Sequence, residues 1–79
     1  MELILYSTEG CHLCELAEAL IRQAEAGGQP LRWSVVDIAD DDALFSRYGW
    51  HIPVLKAGDA ELRWPFDAEG LAEFLSEQT

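Results

Sequence analysis

The sequence predicts a single α/β domain with one four-stranded mixed sheet and helices on both of its faces. A strand, an amphipathic helix and a second strand follow one another in the first half, as in a parallel βαβ unit. After a middle helix, two short strands around a Gly-Asp turn and a closing helix complete the chain. Its 79 residues leave room for one hydrophobic core, so one domain is expected over residues 1–79.

The first strand and the first helix are marked by a change in apolar periodicity. Residues 2–7 (ELILYS) are apolar on both faces, which is typical of a central strand, and residues 8–10 form the turn after it. From Cys11 onward the apolar residues fall at helical spacing: Leu13, Leu16, Ala17, Leu20, Ile21 and Ala24. This stripe predicts an amphipathic helix that ends at Gly27-Gly28, with Pro30 just beyond.

A second strand and a middle helix come next. Residues 31–37 (LRWSVVD) predict a strand that places Leu31, Trp33 and Val35 on one face. The three aspartates at 40–42 supply the N-cap and first-turn acids that suit a helix dipole. The buried side of this helix is expected to consist of Leu44, Phe45 and Tyr48, and Gly49 ends it.

The chain closes with a hairpin and a last helix. Residues 52–57 (IPVLKA) and 61–64 (ELRW) flank Gly58-Asp59, a pair that predicts a turn between two antiparallel strands. Asp67 is placed to cap a final helix whose inward positions are Leu71, Phe74 and Leu75. The solvent side of that helix carries Glu69, Glu73 and Glu77.

The charge balance excludes two classes of partner. Fifteen acidic residues against five basic ones give a formal net charge of −10. Negative charge repels phosphate backbones and anionic membranes, so we expect neither a nucleic-acid partner nor a membrane partner. The same charge either serves solubility alone or favours a client with a basic docking surface.

No targeting or membrane-spanning segment is predicted. The apolar run at residues 3–6 is too short for a signal-peptide core, and no small-residue cleavage site follows it. No stretch approaches the length of a membrane span. Two cysteines do not make a secreted disulfide scaffold. We therefore expect a cytoplasmic protein, and we expect it to be a monomer.

Cys11 and Cys14 form a Cys-x-x-Cys motif where the first strand gives way to the first helix. Two cysteines at this spacing across a helical turn bring their sulfurs within bonding reach. Cys11 lies at the helix N-terminus, where free backbone N–H groups and the helix dipole favour a thiolate, the attacking species in disulfide exchange. Cys14, one turn further in, is better placed to resolve a mixed disulfide.

Other interpretations of the two cysteines stay open. A structural zinc site needs four ligands, and only His12 and His51 can complete one, at no standard spacing, so no metal site is predicted. A static disulfide is disfavoured in the cytoplasm, and two inert, partly buried cysteines are the remaining alternative. Beside Cys11, a protonated His12 would stabilise a thiolate while Glu9 would oppose it, unless His12 is only an exposed first-turn residue. Leu13 completes the pair between the cysteines.

Ile52-Pro53 opens the third strand. A proline there removes a backbone N–H donor from the sheet, so its presence at the start of a strand needs an explanation. A cis bond supplies one, because it turns the chain sharply and can leave the backbone of Ile52 open to pair with an extended ligand. The trans form is the commoner one for X–Pro bonds in general.

With a Cys-x-x-Cys after the first strand and a proline opening the third, the chain resembles the thioredoxin superfamily. Its length and element order are similar to those of short bacterial glutaredoxin-like proteins, over essentially the whole chain. The resemblance implies that Cys11 is the nucleophile, Cys14 the resolving cysteine and Pro53 a cis-proline beside the active site. It also implies that the backbone of Ile52 pairs with a bound peptide or glutathione.

The glutathione site of that family is matched only in part. Glutaredoxins usually carry Cys-Pro-Tyr-Cys, whereas His-Leu stands between the cysteines here. Their Gly-Gly step before the last helix is replaced by residues 64–66 (WPF), and only Asp67 fits the group that holds the γ-glutamyl end. The bases nearest Pro53 are expected to be Lys56, Arg63 and Arg47. We expect no resident cofactor, and glutathione binding only in the millimolar range.

The residues support two functions of different classes. The first is a dithiol–disulfide oxidoreductase, an enzyme in which Cys11 attacks a disulfide of a client protein or small molecule and Cys14 releases the product. The second is a non-catalytic binding module of the same fold, which holds a partner at the Pro53 groove or on its acidic surface. The intact cysteine pair favours the enzyme, and the incomplete glutathione site favours the module.

Overall fold

The structure is a computed structural model that describes residues 2–28 and 30–78. Its elements are β1 (Glu2–Ser7), α1 (His12–Ala26), β2 (Arg32–Asp37), a 3₁₀ turn (Ile38–Asp40), α2 (Asp42–Tyr48), β3 (Val54–Ala57), β4 (Ala60–Arg63) and α3 (Ala68–Glu77). The predicted α/β fold and its order of strands and helices are confirmed. Of the predicted domain 1–79, positions 1, 29 and 79 lie outside the described residues.

The four strands form one mixed sheet in the order β2-β1-β3-β4. β2 is parallel to β1, while β3 is antiparallel to β1 and β4 is antiparallel to β3. One end of the sheet is therefore the place where β1 and β2 finish, β3 begins and β4 finishes. We name it the cysteine end, because α1 starts there with its two cysteines. At the opposite end, Gly58 turns the hairpin with φ of +60°, a conformation that glycine adopts without steric cost.

The two faces of the sheet are covered by clusters of different size. The face under α1 and α3 holds what we name the large cluster, whose buried residues are Leu3, Leu5, Ala17, Ile21, Leu55, Ala57, Leu71, Phe74 and Leu75. The face under α2 and the 3₁₀ turn holds the small cluster, made of Tyr6, Ile38, Tyr48 and Val54. Successive strand residues point to opposite faces, so β1 contributes Leu3 and Leu5 to one cluster and Tyr6 to the other.

Aspartate caps set the starts of two helices. Asp41, rather than its neighbours at 40 and 42, caps α2, and its Oδ1 accepts hydrogen bonds from the backbone N–H groups of Ala43 and Leu44 at 2.9 and 3.2 Å. Asp67 caps α3 as expected, and its Oδ1 accepts from the Gly70 N–H at 2.7 Å. These bonds satisfy backbone donors that a helix cannot pair internally.

Three predicted inward positions face solvent instead. Leu13 and Leu16 are 43% and 42% exposed, because the buried side of α1 is centred on Cys14, Ala17 and Ile21. Each leucine precedes one of those residues, and one step along a helix turns a side chain by about 100°. Phe45 is 58% exposed for the same reason: it follows the inward-facing Leu44 by one position.

Strands β2 and β3 differ from expectation, β2 in the exposure of one residue and β3 in the residue at which it begins. Val35 is 45% exposed because β2 is an edge strand with a neighbour on one side only. β3 begins at Val54 rather than at residue 52, since Pro53 has no N–H to donate to the sheet. No helix within the described ranges is both long and apolar enough to cross a membrane.

Candidate functional site

A disulfide joins Cys11 to Cys14 at the start of α1, with their Cα atoms 5.2 Å apart. Cys11 is the N-cap residue, in extended conformation at φ −87° and ψ 105°. Its Sγ accepts a hydrogen bond from the backbone N–H of Cys14 at 3.2 Å. The cap thus holds Cys11 Sγ against the free N–H groups of the first turn, which favour negative charge on sulfur once the disulfide is reduced.

The two cysteines differ in burial, and Cys11 is the more exposed of them. Cys11 is half-buried, whereas Cys14 is only 1% exposed. Cys14 shares the inner side of α1 with Ala17 and Ile21. A molecule arriving from solvent therefore meets Cys11 first, and Cys14 is placed to react from the protein side.

The predicted neighbours of Cys11 are all exposed: Glu9, His12 and Leu13. His12 Nδ1 lies 3.7 Å from Glu15 Oε2, one helical turn along α1, so a protonated His12 would pair with a carboxylate that sequence reasoning missed. The i, i+3 spacing on a helix is the signal that points to such a pair. Because both side chains are well exposed, this pair contributes little to the stability of the fold. The partner of the His12 imidazole is Glu15 rather than the sulfur of Cys11.

The register of the sheet places Ile52 and Pro53 at the cysteine end. Tyr6 lies opposite Val54, so Pro53 is level with Ser7, the residue before the loop that leads to Cys11. The Ile52–Pro53 bond is cis, and Pro53 is fully buried. On its other side, the carbonyl of Pro53 accepts a hydrogen bond from the Trp64 N–H at 3.2 Å.

Only half of the Ile52 backbone is open to a ligand. Its N–H donates to the carbonyl of Tyr48 at 3.1 Å, so the amide is already engaged. Its carbonyl accepts no hydrogen bond from residues 2–28 or 30–78. The Ile52 backbone was expected to be open to a ligand, but only its carbonyl oxygen is available as an acceptor.

Tyr48 anchors the loop that leads to Pro53. Its ring is buried and stacks on Tyr6 with centroids 4.4 Å apart, while its hydroxyl donates to the carboxylate of Glu61. The carbonyl of Tyr48 accepts hydrogen bonds from the N–H groups of His51 and Ile52 at 2.8 and 3.1 Å. Sequence reasoning missed the pairing of Tyr48 with Glu61, because 13 residues separate them and no local pattern links them.

The environment of Tyr48 changes its acidity. The hydrogen bond to Glu61 comes first, and burial and the negative charge of Glu61 act in the same direction, so the pKa of Tyr48 is raised above its ordinary value. The phenol is therefore neutral at physiological pH and remains a hydrogen-bond donor.

The segment before α3 is fixed by packing. The Trp64–Pro65 bond is also cis, and the rings of Trp64 and Phe66 meet edge to face with centroids 5.1 Å apart. Both rings pack against the large cluster. Asp67 is exposed, with one carboxylate oxygen engaged by its own helix, so a ligand ammonium would have to share that carboxylate with the cap.

Of the three bases expected near Pro53, two lie at the cysteine half of the α2 face. Arg63 is opposite Val54, and the guanidinium of Arg47 lies 5.4 Å from the ring centre of Tyr48. Lys56 pairs with Ile4, two residues further from that end. In the described part of the chain, no group of three or more His, Cys, Asp or Glu side chains is placed to hold a metal ion.

The family model described as Glutaredoxin-like domain (DUF836) matches residues 2–76. The chain is similar to the protein XcR50 from X. campestris, whose X-ray structure is 43% identical, with a TM-score of 0.83 over 95% of this chain and 96% of that one. The solution structure of XcR50 gives 44% identity and a TM-score of 0.80, covering 98% and 95% of the two chains. The protein Ne2328 from Nitrosomonas europaea is 30% identical, with a TM-score of 0.78 over 92% of this chain and 88% of that one. No curated protein matches this chain.

Proposed function

The chain belongs to the glutaredoxin-like domain family, and from that premise we propose that it is a thiol–disulfide oxidoreductase acting through Cys11 and Cys14. The disulfide at the start of α1 is the observation that carries the proposal. It combines a half-buried cysteine that caps a helix with a buried cysteine one turn further along. A structural cross-link would not need a partly exposed cysteine at the N-terminus of a helix.

The proposed reaction moves two electrons from the reduced protein to the substrate. The Cys11 thiolate attacks one sulfur of a substrate disulfide, the substrate S–S bond breaks, and the departing thiolate takes a proton from water. Cys14 then loses its proton and attacks Cys11 Sγ, which releases the second substrate thiol and forms the Cys11–Cys14 disulfide. A dithiol reductant returns the protein to its starting state by the reverse exchange.

Ile52, Pro53 and Asp67 are proposed to border the substrate. The Ile52 carbonyl offers one acceptor to an extended chain. The proposed partner is a disulfide-containing client protein or a small thiol, with no nucleic acid and no membrane involved. The proposed state is a monomer, and the proposed location is the cytoplasm, where a dithiol is kept reduced.

Glutathione is proposed to bind only weakly, with no resident cofactor. Its two carboxylates need cations or oriented N–H groups, but Pro65 has no N–H and the Ile52 N–H is already engaged. Titration of glutathione into the Cys14→Ser protein, followed by amide NMR shifts, is expected to give half-saturation in the millimolar range. Saturation at micromolar concentration, with shifts at Ile52 and Asp67, would contradict this.

Two cysteine variants and a reduction potential test the enzyme proposal. Reduced Cys14→Ser protein mixed with bis(2-hydroxyethyl) disulfide is expected to stop as a mixed disulfide on Cys11, seen as an added mass. The matched Cys11→Ser protein is expected to trap none, because its remaining sulfur is buried. The potential of the wild-type pair is expected at roughly −200 to −270 mV.

A binding module predicts a different set of results. It would give no turnover of the small disulfide by the wild-type protein and no trapped adduct on Cys11. Its disulfide would also stay intact under dithiol reductants that reduce ordinary redox pairs. That combination would reject the enzyme and retain the fold.

A further inference from the structure

Trp50 is the most exposed large hydrophobic residue of the described chain, with 94% of its surface open to solvent. An isolated exposed apolar side chain is ordinary in a soluble protein. Trp50 differs because of where it stands: it precedes Ile52 by two residues and therefore lies at the cysteine end of the sheet.

The backbone on both sides of Trp50 is held in place. Before it, the Gly49 N–H donates to the Phe45 carbonyl at 2.9 Å, and a Cβ on Gly49 would come within 2.6 Å of that oxygen. After it, the N–H groups of His51 and Ile52 both donate to the carbonyl of the buried Tyr48. The loop is therefore anchored, and it presents the indole to solvent from a fixed backbone.

A second apolar surface lies on the first turns of α1. Leu13, between the two cysteines, is 43% exposed, and Leu16 one turn later is 42% exposed. Exposed apolar groups thus accompany both parts of the site, the helix that carries Cys11 and the loop that carries the open Ile52 carbonyl.

The formal charge is negative in both halves of the molecule: −6 from eight acids and two bases at the cysteine end, and −4 from the other seven acids and three bases. Eight acids belong to the ends of strands and the starts of helices at the cysteine end: Glu9, Glu15, Asp37, Asp40, Asp41, Asp42, Asp67 and Glu69. Two bases share that half, Arg47 and Arg63. The other three bases lie further away, on the second half of α1, at the start of β2 and in the hairpin: Arg22, Arg32 and Lys56.

We propose that Trp50 and Leu13 border a docking surface for a basic polypeptide segment that carries the substrate disulfide. This rests on the proposed function and names its substrate class. The face of an indole attracts Lys and Arg side chains, the surrounding carboxylates steer a cationic partner toward the site, and the Ile52 carbonyl accepts a backbone N–H. A second copy of this chain is disfavoured as the occupant, because two surfaces with the same excess of carboxylates repel each other.

Three substrates allow the docking surface to be tested separately from the proposed oxidoreductase activity on which it rests. Two are disulfide-linked peptides of equal length whose flanking residues are all Lys in one and all Glu in the other. The third is the uncharged bis(2-hydroxyethyl) disulfide. With the reduced wild-type protein, the Lys peptide is expected to react at least about tenfold faster than the Glu peptide at low ionic strength. The ratio should shrink as salt is raised to screen the charges.

Variants assign the preference to particular residues. Trp50→Ala is expected to slow the Lys peptide about threefold to fivefold and to leave the uncharged disulfide unchanged, while Trp50→Phe retains an aromatic face and most of the rate. Val35→Ala removes an exposed apolar side chain from β2 and is expected to change none of the three rates. A double change of Glu9→Gln with Asp40→Asn should lower the Lys-to-Glu ratio, whereas Glu73→Gln with Glu77→Gln, an equal loss of charge on α3, should not.

The possible failures are distinct. If the uncharged disulfide is not reduced and Cys11 forms no adduct, the proposed function itself is wrong. If that disulfide is reduced but the Lys and Glu peptides react within twofold of each other, the docking surface is wrong and the function stands. Equal slowing of all three substrates by Trp50→Ala would also overturn the docking surface, since it would mean that Trp50 acts through the structure of the loop.

Discussion

The large and small clusters occupy opposite faces of the same strands, yet they hold their neighbours in different ways. The nine buried residues of the large cluster are all apolar, and their burial is favourable without requiring a particular orientation. Two of the four buried residues of the small cluster are the stacked tyrosines Tyr6 and Tyr48, and the second is hydrogen-bonded to Glu61. Ring stacking and a hydrogen bond do require one orientation.

Each cluster fixes a different part of the candidate site. The large cluster includes the inner side of α1, and so it positions the helix that carries Cys11 and Cys14. The small cluster includes Tyr48, whose carbonyl holds the loop before Pro53. The difference indicates that folding free energy comes mainly from the α1 and α3 face, and that placement of the loop before Pro53 depends on the α2 face.

The largest effect that tests this comparison is expected from matched isoleucine truncations. Ile21 and Ile38 are equally buried, in the large and the small cluster respectively. Ile21→Ala is expected to lower the free energy of unfolding by about 4 kcal/mol and Ile38→Ala by about 2 kcal/mol, because the short α2 can close over its cavity more easily. Urea denaturation measures both. A larger loss for Ile38→Ala would reverse the assignment of stability to the two faces.

The next effect concerns the hydroxyl of Tyr48. Tyr48→Phe keeps the ring stack and removes the hydrogen bond to Glu61, so a loss of about 1–2 kcal/mol in unfolding free energy is expected. Tyr6→Phe is the matched control, since within residues 2–28 and 30–78 the Tyr6 hydroxyl has no hydrogen-bond partner, and its cost should stay below about 0.5 kcal/mol. Faster amide hydrogen exchange at His51 and Ile52 in Tyr48→Phe alone would link the small cluster to the loop. Equal costs for the two variants would remove that link.

A smaller effect is expected where α3 begins, beside the large cluster. Asp67→Ala removes the acceptor of the Gly70 N–H and should lower the unfolding free energy by about 1 kcal/mol, while Asp67→Asn keeps a cap and should cost a few tenths. Thermal denaturation of the two variants checks the difference. If Asp67→Asn is as costly as Asp67→Ala, the charge matters rather than the cap.

The smallest effect is a pH dependence confined to alkaline conditions. The pKa of Tyr48 is raised in the folded protein, chiefly by its hydrogen bond to Glu61. The folded state therefore holds this proton more tightly than the unfolded state, whose tyrosine pKa is about 10. The contribution of Tyr48 is fully present below that pH and is lost as the pH rises through the folded-state pKa. The stability difference between wild type and Tyr48→Phe should accordingly be constant from pH 7 to 9 and shrink above pH 10; a difference that grows there would contradict the sign.

Local features of this chain follow from the sequence by itself. Periodicity and turn residues determine the strands and helices, and the Cys-x-x-Cys spacing at the start of α1 is enough to predict a pair within bonding reach. Asp67 as a cap and Leu71, Phe74 and Leu75 as core positions also follow, because each depends on neighbours within a few residues. Such interactions occur within one helix or strand, where residues that are close in sequence are also close in space.

The tertiary structure alone decided which edge of each apolar stripe is covered and how the loop before Pro53 is held. Leu13, Leu16 and Phe45 belong to apolar stripes, yet they lie outside the angle that the sheet and the facing helix cover. The bond from Tyr48 to Glu61 depends on how α2 lies over the hairpin. Exposure and long-range pairing are set by the register and packing of separate elements, and the local pattern of any one element does not contain that information.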